Sequence, residues 1–292
     1  MIAGLVRMPP YVSAAIHLGR AEKASEARRY ITAQKELRPV LAQFPDHLAS
    51  NAEMLIASAY SFDMSGVQAS YAKLENREIK DDELFERMQT AMQFIMQSVP
   101  NDTTLPRRVQ EAVADSLPGL LAVSASLDSL SPDDSKLGRI LIANQLYDLD
   151  AFKETERLLQ DVLAEEPDNY PALMLMGAVR REQGAFDESL RLYDRILAHN
   201  PENVAAIAQK AKTELKRNRD RKAAEYAATA MRLDPTHLGA LEAQAMVDYY
   251  AGRAGASADG LKTIRGIETS TSDDSIISHR LAALLSGAES YR

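Results

Sequence analysis

Apolar residues along much of this chain recur at intervals of three and four, the spacing that lines up one face of an α-helix. Between Pro167 and Pro201 the series runs through Leu173, Met176, Gly177 and Arg180, breaks at Gly184, and resumes with Phe186, Ser189, Tyr193 and Ile196. The pattern predicts two helices folded back on one another. Gly184 supplies the left-handed residue that ends the first helix, and Gly177 allows a close approach filled by Phe186 and Tyr193.

The same phrase recurs on either side. Pro167, Pro201 and Pro235 stand 34 residues apart, and each closes an amphipathic run: LLQDVLAEEPDN, LYDRILAHNPEN and YAATAMRLDPTH. Proline cannot continue a helix and pushes its predecessor toward extended geometry, so each marks a corner between one helix pair and the next.

These residues resemble the tetratricopeptide repeats, whose unit is about 34 residues of helix, turn and helix. The resemblance covers 136–169, 170–203 and 204–237 in good register and 238–271 more faintly. In the first unit Ile142, Ala143, Leu146, Phe152, Leu159, Val162 and Pro167 occupy the matching places. In the third Ala211, Ala223, Ala227, Ala230 and Pro235 do, with Lys210 and Glu214 where apolar residues are commoner. The fourth keeps Leu241, Ala245, Gly252, Leu261 and Ile264 but lacks the proline, and its AGRAGASADG run fits neither phosphate-loop pattern and reads as a turn. The implied fold is all-α, a right-handed superhelical solenoid of antiparallel helix pairs. Residues 272–292, with Ser272 or Asp273 as N-cap and a stripe through Ile276, Ile277, Leu281 and Leu284, read as a capping helix.

The N-terminal part carries the same period less legibly. Residues 1–110 are read as irregular, degenerate helical hairpins and 111–135 as a helical connector, with breaks at 100–108 and 129–135. AQKELRPVLAQFPDH ends at Pro45 as the later repeats do, but no proline follows at Ile79. The helix DDELFERMQTAMQFIMQSVP has a broad apolar face of Leu84, Met88, Met92, Phe94, Ile95 and Met96, suited to filling gaps in a core.

Composition narrows the chemistry. Hydrophobic residues are 46% and charged residues 26%, the balance of a folded chain, and no apolar run reaches the length of a membrane span. There is no cysteine, and His17, His47, His199, His237 and His279 lack the i, i+4 spacing of a helical zinc site, so no metal and no cofactor is expected. The acidic pairs Asp81-Asp82, Asp133-Asp134 and Asp273-Asp274 each precede a helix, where carboxylates cap free amides; no catalytic residues are assigned and the chain is not expected to be an enzyme. The N-terminus is too interrupted for a secretory segment, which points to a cytoplasmic chain, or a periplasmic one if a signal peptide precedes Met1.

The tetratricopeptide resemblance implies a concave groove lined by the first helix of each repeat that holds a partner peptide. Matching positions are Asn144 and Tyr147; Met174, Ala178 and Arg181; Gln209, Lys212 and Lys216; and Glu242, Met246 and Tyr249. One subclass grips an acidic C-terminus with lysine, asparagine and arginine. Asn144 matches one of those places, but Ile140 and Gln209 stand where the other two would be, so that clamp is not expected. Charge is uneven: residues 111–203 hold 8 basic and 18 acidic side chains, whereas 204–237 hold 8 basic and 4 acidic, concentrated in KAKTELKRNRDRK. That run reads either as a solvated turn with paired faces or as a patch for an acidic segment, of a partner or of a neighbouring acidic repeat. Aromatic stacking residues are absent from it and the net charge is -8, so nucleic acid is not expected. The function expected is a protein-interaction scaffold. The alternatives are the repeat region of a larger bacterial enzyme such as a glycosyl- or sulfo-transferase, or of an exopolysaccharide or secretion assembly, and a solenoid that self-assembles into homo-oligomers.

Overall fold

The computed structural model describes residues 10–96, 127 and 132–269, and the elements among them are thirteen α-helices. The chain divides into two compact units, 1–95 and 96–292. The first holds α1 (Pro10–Glu26), α2 (Tyr30–Gln43), α3 (Leu48–Tyr60), α4 (Met64–Leu74) and α5 (Asp82–Met96). The second holds four pairs: α6 (Pro132–Asp148) with α7 (Phe152–Glu165), α8 (Tyr170–Glu182) with α9 (Phe186–His199), α10 (Val204–Lys216) with α11 (Asp220–Leu233), and α12 (Leu238–Tyr250) with α13 (Ala254–Thr269). The sequence-derived capping helix at 272–292 and the connector before Pro132, apart from Leu127, lie outside the described residues.

Each pair folds on one device. Asp150, Gly184, Asn218 and Gly252, one period apart, have positive φ. The amide that follows each reaches back five residues: Ala151 to the Leu146 carbonyl, Ala185 to Arg180, Arg219 to Glu214 and Arg253 to Asp248, at 2.8–2.9 Å. Such a left-handed residue satisfies the carbonyls that a helix end leaves without partners. The first unit repeats it: Arg28 and Phe62 have positive φ, and Arg29 and Asp63 donate to Ala24 and Ser58 at 2.8 and 2.9 Å.

The corners between pairs are capped in register as well. Asn169 accepts from the Ala172 amide at 3.1 Å, Asn203 from Ala206 at 2.8 Å and His237 from Gly239 at 3.1 Å. In the first unit His47 accepts from Ser50 at 3.3 Å and Asp81, one period later, from Leu84 at 3.0 Å. The first unit therefore keeps a 34-residue period from α3 to α5 although its sequence lacks a proline at Ile79. The irregularity lies in its sequence landmarks.

Packing follows the predicted faces. In the second unit Leu141, Leu146, Leu158, Leu159, Val162 and Met176 form one cluster, and Leu173, Met174, Tyr193, Ile196, Ala205 and Ala206 another that joins two pairs. A Cβ at Gly177 would lie 2.5 Å from Tyr193 Cε1, so the ring occupies the space that glycine leaves. Lys210 and Glu214, at apolar places of the family pattern, are both buried. Lys210 reaches out of the core to Asp194 at 2.5 Å and lies 4.7 Å from the centre of the Tyr226 ring. Burial pulls its pKa down, but Asp194 and Tyr226 outweigh that and hold it above the ordinary lysine value. In the first unit Tyr30 stacks on Tyr60, and Phe94 lies against Tyr60 and Phe62, so the α5 face is spent partly on an aromatic core.

Candidate functional site

The first helices of the four pairs, α6, α8, α10 and α12, carry all the residues expected in a groove, and the structure sorts them into two sets. Asn144, Tyr147, Glu242 and Met246 are half-buried, and Lys216 and Tyr249 are exposed. Met174, Ala178, Arg181, Gln209 and Lys212 are buried. Met174 belongs to the cluster between the second and third pairs.

Each buried polar member is bonded to a neighbouring first helix. Arg181 donates to the Tyr147 hydroxyl of α6 at 3.1 Å and to the Gln209 carbonyl oxygen of α10, and to its neighbour Glu182 at 3.0 Å. Glu182 accepts from Lys216, and Lys212 pairs with Glu242 of α12. Burial alone would raise the Glu182 carboxyl, but Lys216 and Arg181 together hold it below the usual carboxylate range. A desolvated arginine or lysine is tolerated only where such partners replace water. The ladder is therefore a condition of packing one first helix on the next.

The basic run of α10 and the turn after it is resolved the same way. Lys210 meets Asp194, Lys216 meets Glu182, and Arg217 meets Asp187 at 2.6 Å. All three acids belong to the preceding, acid-rich pair, so the uneven charge along the chain is used between adjacent repeats of one molecule.

Two groups went unnoticed in the sequence reading. Glu182 links Arg181 to Lys216, and its signal was available: Glu182 and Lys216 are opposite charges one period apart, as Tyr147 and Arg181 are bonding partners one period apart. Arg180, already in the periodic series of its helix, forms a bidentate pair with Glu156 of α7 at 2.8 and 2.9 Å, with Gln183 bonded to both, and the periodicity gives no sign of that pair. Of the histidines at repeat corners, His237 caps α12, while His199 lies on the exposed end of α9 with Nε2 3.7 Å from Asp168. Among the described residues no three His, Asp or Glu side chains converge as a metal site would require, and no helix is long and apolar enough to cross a membrane.

Helix pairs of constant 34-residue spacing, each turned at a left-handed residue, packed first helix on first helix, define the fold. It is a tetratricopeptide-type helical repeat. No protein-family model and no curated protein matches the chain. Solved structures similar to it include a tetratricopeptide repeat protein from Parabacteroides merdae ATCC 43184, at 11% identity over 94% of this chain and 98% of that one with a TM-score of 0.48. MamA from Desulfovibrio magneticus RS-1 is similar at 15% identity over 59% of this chain and 98% of its own, with a TM-score of 0.41. YrrB, described as a tetratricopeptide protein with an unusual peptide-binding site, is similar at 15% identity over 78% and 90%, with a TM-score of 0.35.

Proposed function

We propose that this tetratricopeptide-type chain is a protein-interaction scaffold that seats an extended or helical segment of a partner along α6, α8, α10 and α12, without catalysis of its own. The observation that carries the reading is the division of the first-helix residues into a buried, internally paired ladder and an accessible set above it. The ladder of Arg181, Gln209, Lys212, Glu182 and Glu242 holds successive first helices in place. Half-buried Asn144 and Met246 and exposed Tyr249 lie beside it, with the Tyr147 hydroxyl and the Lys216 ammonium at its edge, bonded to Arg181 and Glu182, so amide, hydroxyl, ammonium and apolar groups recur along the series. Such a mixture suits a peptide backbone with intermittent apolar side chains.

Lys212 makes a poor probe of binding, because reversing its charge would break a buried pair and disturb the fold. The informative variant combines Asn144→Ala, Met246→Ala and Tyr249→Ala, which leaves the pairs of the ladder intact. Wild-type and variant chains of equal helicity are used as bait in lysate of the source cell, and retained proteins are quantified by mass spectrometry with cross-linking to locate the contact. A specific partner cross-linked to the first helices and reduced roughly tenfold on the variant supports the reading. Equal retention by both chains, or cross-links confined to the second helices, overturns it.

A further inference from the structure

Comparison of equivalent positions singles out the outer face of α1. Ile16 stands one period before Ser50 and Lys23 one period before Ala57, and both later residues are fully buried. Counted from each corner cap of the second unit, the same two places hold Ala172 and Val179, Ala206 and Thr213, and Ala240 and Val247, all buried. Such side chains let a first helix pack on the pair before it, as Ala206 does in a cluster with Leu173 and Tyr193. On α1 the two places are filled differently, and both Ile16 and Lys23 are exposed. A bulkier apolar side chain and a cation stand where the packed helices carry small and uncharged ones, so this face is not shaped to receive another helix pair.

The face changes character along its length. Val12, Ile16, Arg20 and Lys23 fall within one arc of the helix, and Arg28 and Arg29 follow in the turn. Its first two turns are apolar, with Val12 and Ile16 41% and 40% exposed and Tyr11 beside them at 71%. Its far end is basic, with Arg20, Lys23, Arg28 and Arg29 all exposed. Arg20 lies 4.0 Å from Glu36, whose carboxylate is already taken by His17 at 2.7 Å. Glu22 and Glu26 lie on the flank away from Arg20, where Glu22 is within electrostatic reach of Glu53 on α3.

We infer that this face seats α1 on an anionic lipid surface, with Val12 and Ile16 entering the boundary between headgroups and acyl chains and Arg20, Lys23, Arg28 and Arg29 meeting lipid phosphates and carboxylates. An apolar end beside a basic one matches what such a surface offers, hydrocarbon next to concentrated negative charge. A purely acidic protein segment would satisfy the cations and leave Tyr11, Val12 and Ile16 in water. The helix lies on the bilayer and does not cross it, since no described helix is long and apolar enough to span. The chain carries -8 overall, so the attraction is local to this face and weakens with salt. Nothing in the assignment depends on what the first helices of the second unit bind.

The chain has no tryptophan, so one introduced indole reports its own surroundings. The full chain and its Ile16→Trp variant are mixed with vesicles of phosphatidylcholine, alone or with phosphatidylserine. Two double variants, Lys23→Glu with Arg29→Glu and Val12→Ser with Ile16→Ser, are run beside them. Sedimentation with anionic vesicles is expected to exceed that with neutral ones roughly tenfold and to fall roughly tenfold in each double variant at unchanged helicity, while the Ile16→Trp emission shifts to the blue. No sedimentation, equal sedimentation with neutral vesicles, binding that ignores either double variant, or an unshifted emission overturns the proposal. So does an association that polyglutamate displaces without a blue shift, since the face would then take an acidic protein segment.

Discussion

At the scale of single residues, two glycines of the second repeat serve different physical needs. Gly184 has a φ of 78°, and an alanine there would place a Cβ in the left-handed region at a cost of about 1 kcal/mol. At Gly177 an added Cβ would come within 2.6 Å of two Tyr193 ring atoms, so alanine overpacks the pair at a cost of about 2 kcal/mol. Both substitutions are expected to lower the denaturation midpoint. Adding Tyr193→Leu should relieve Gly177→Ala and leave the Gly184→Ala penalty untouched, and urea titrations of the single and double variants check this. Equal rescue of both would show that the ring does not fill the glycine notch. Both glycines were legible in the sequence because only glycine meets either need cheaply. Arg28 and Phe62 make the same left-handed turn with residues that seldom adopt it, and so their turns could not be read from residue type.

At the scale of elements, the cap of α12 is the one in its series that titrates. Asn169 and Asn203 hold their helices at any pH, but His237 can accept the Gly239 amide only through an unprotonated Nδ1. Burial of the ring, helped by Lys212 and opposed by Asp234, lowers its pKa from 6.5. The unfolded chain therefore takes up this proton at a higher pH than the folded one does. The stability that the neutral cap contributes is present in full above about pH 6.5 and is lost as pH falls from there toward the depressed folded value. His237→Asn should remove this dependence, flattening the melting temperature between pH 7 and pH 5 by the worth of one cap, about 1 kcal/mol. An unchanged pH profile in the variant would place the dependence elsewhere.

The Lys212–Glu242 pair belongs to the same scale because it joins α10 to α12. Lys212→Met alone leaves Glu242 without its cation in a half-buried place and should cost about 3 kcal/mol, whereas Lys212→Met with Glu242→Leu should come within about 1 kcal/mol of wild type. A double-mutant cycle by chemical denaturation gives the coupling. Additive losses would mean that the pair does not act as a unit. Helical periodicity showed that these residues lie on first helices but not that they face each other, since partners 30 residues apart meet only when two helices pack.

At the scale of the whole molecule, the second unit behaves as a stack in which stability depends on neighbours on both sides. Helix α10 is buried along Val204–Leu215, whereas the last pair exposes Tyr249, Tyr250 and Leu261. Amides of α8 to α11 are accordingly expected to exchange with deuterium roughly tenfold more slowly than those of α13. Uniform protection along the four pairs would indicate that the unit opens as a single block.

The sequence by itself determined the repeat: its length, its turn at Gly184, its corner prolines and its apolar faces. Each of these is a local demand of the backbone or of one helix face, and a local demand restricts which residue can stand at a position. Only the tertiary structure decided which polar residues of the first helices are exposed, and which pairs the basic run of α10 makes. Lysine at 212 and lysine at 216 look alike in the sequence, yet one is 2% exposed and the other solvent-facing. What separates them is whether the next first helix covers them and supplies a carboxylate, and that is settled by packing between residues a full period apart.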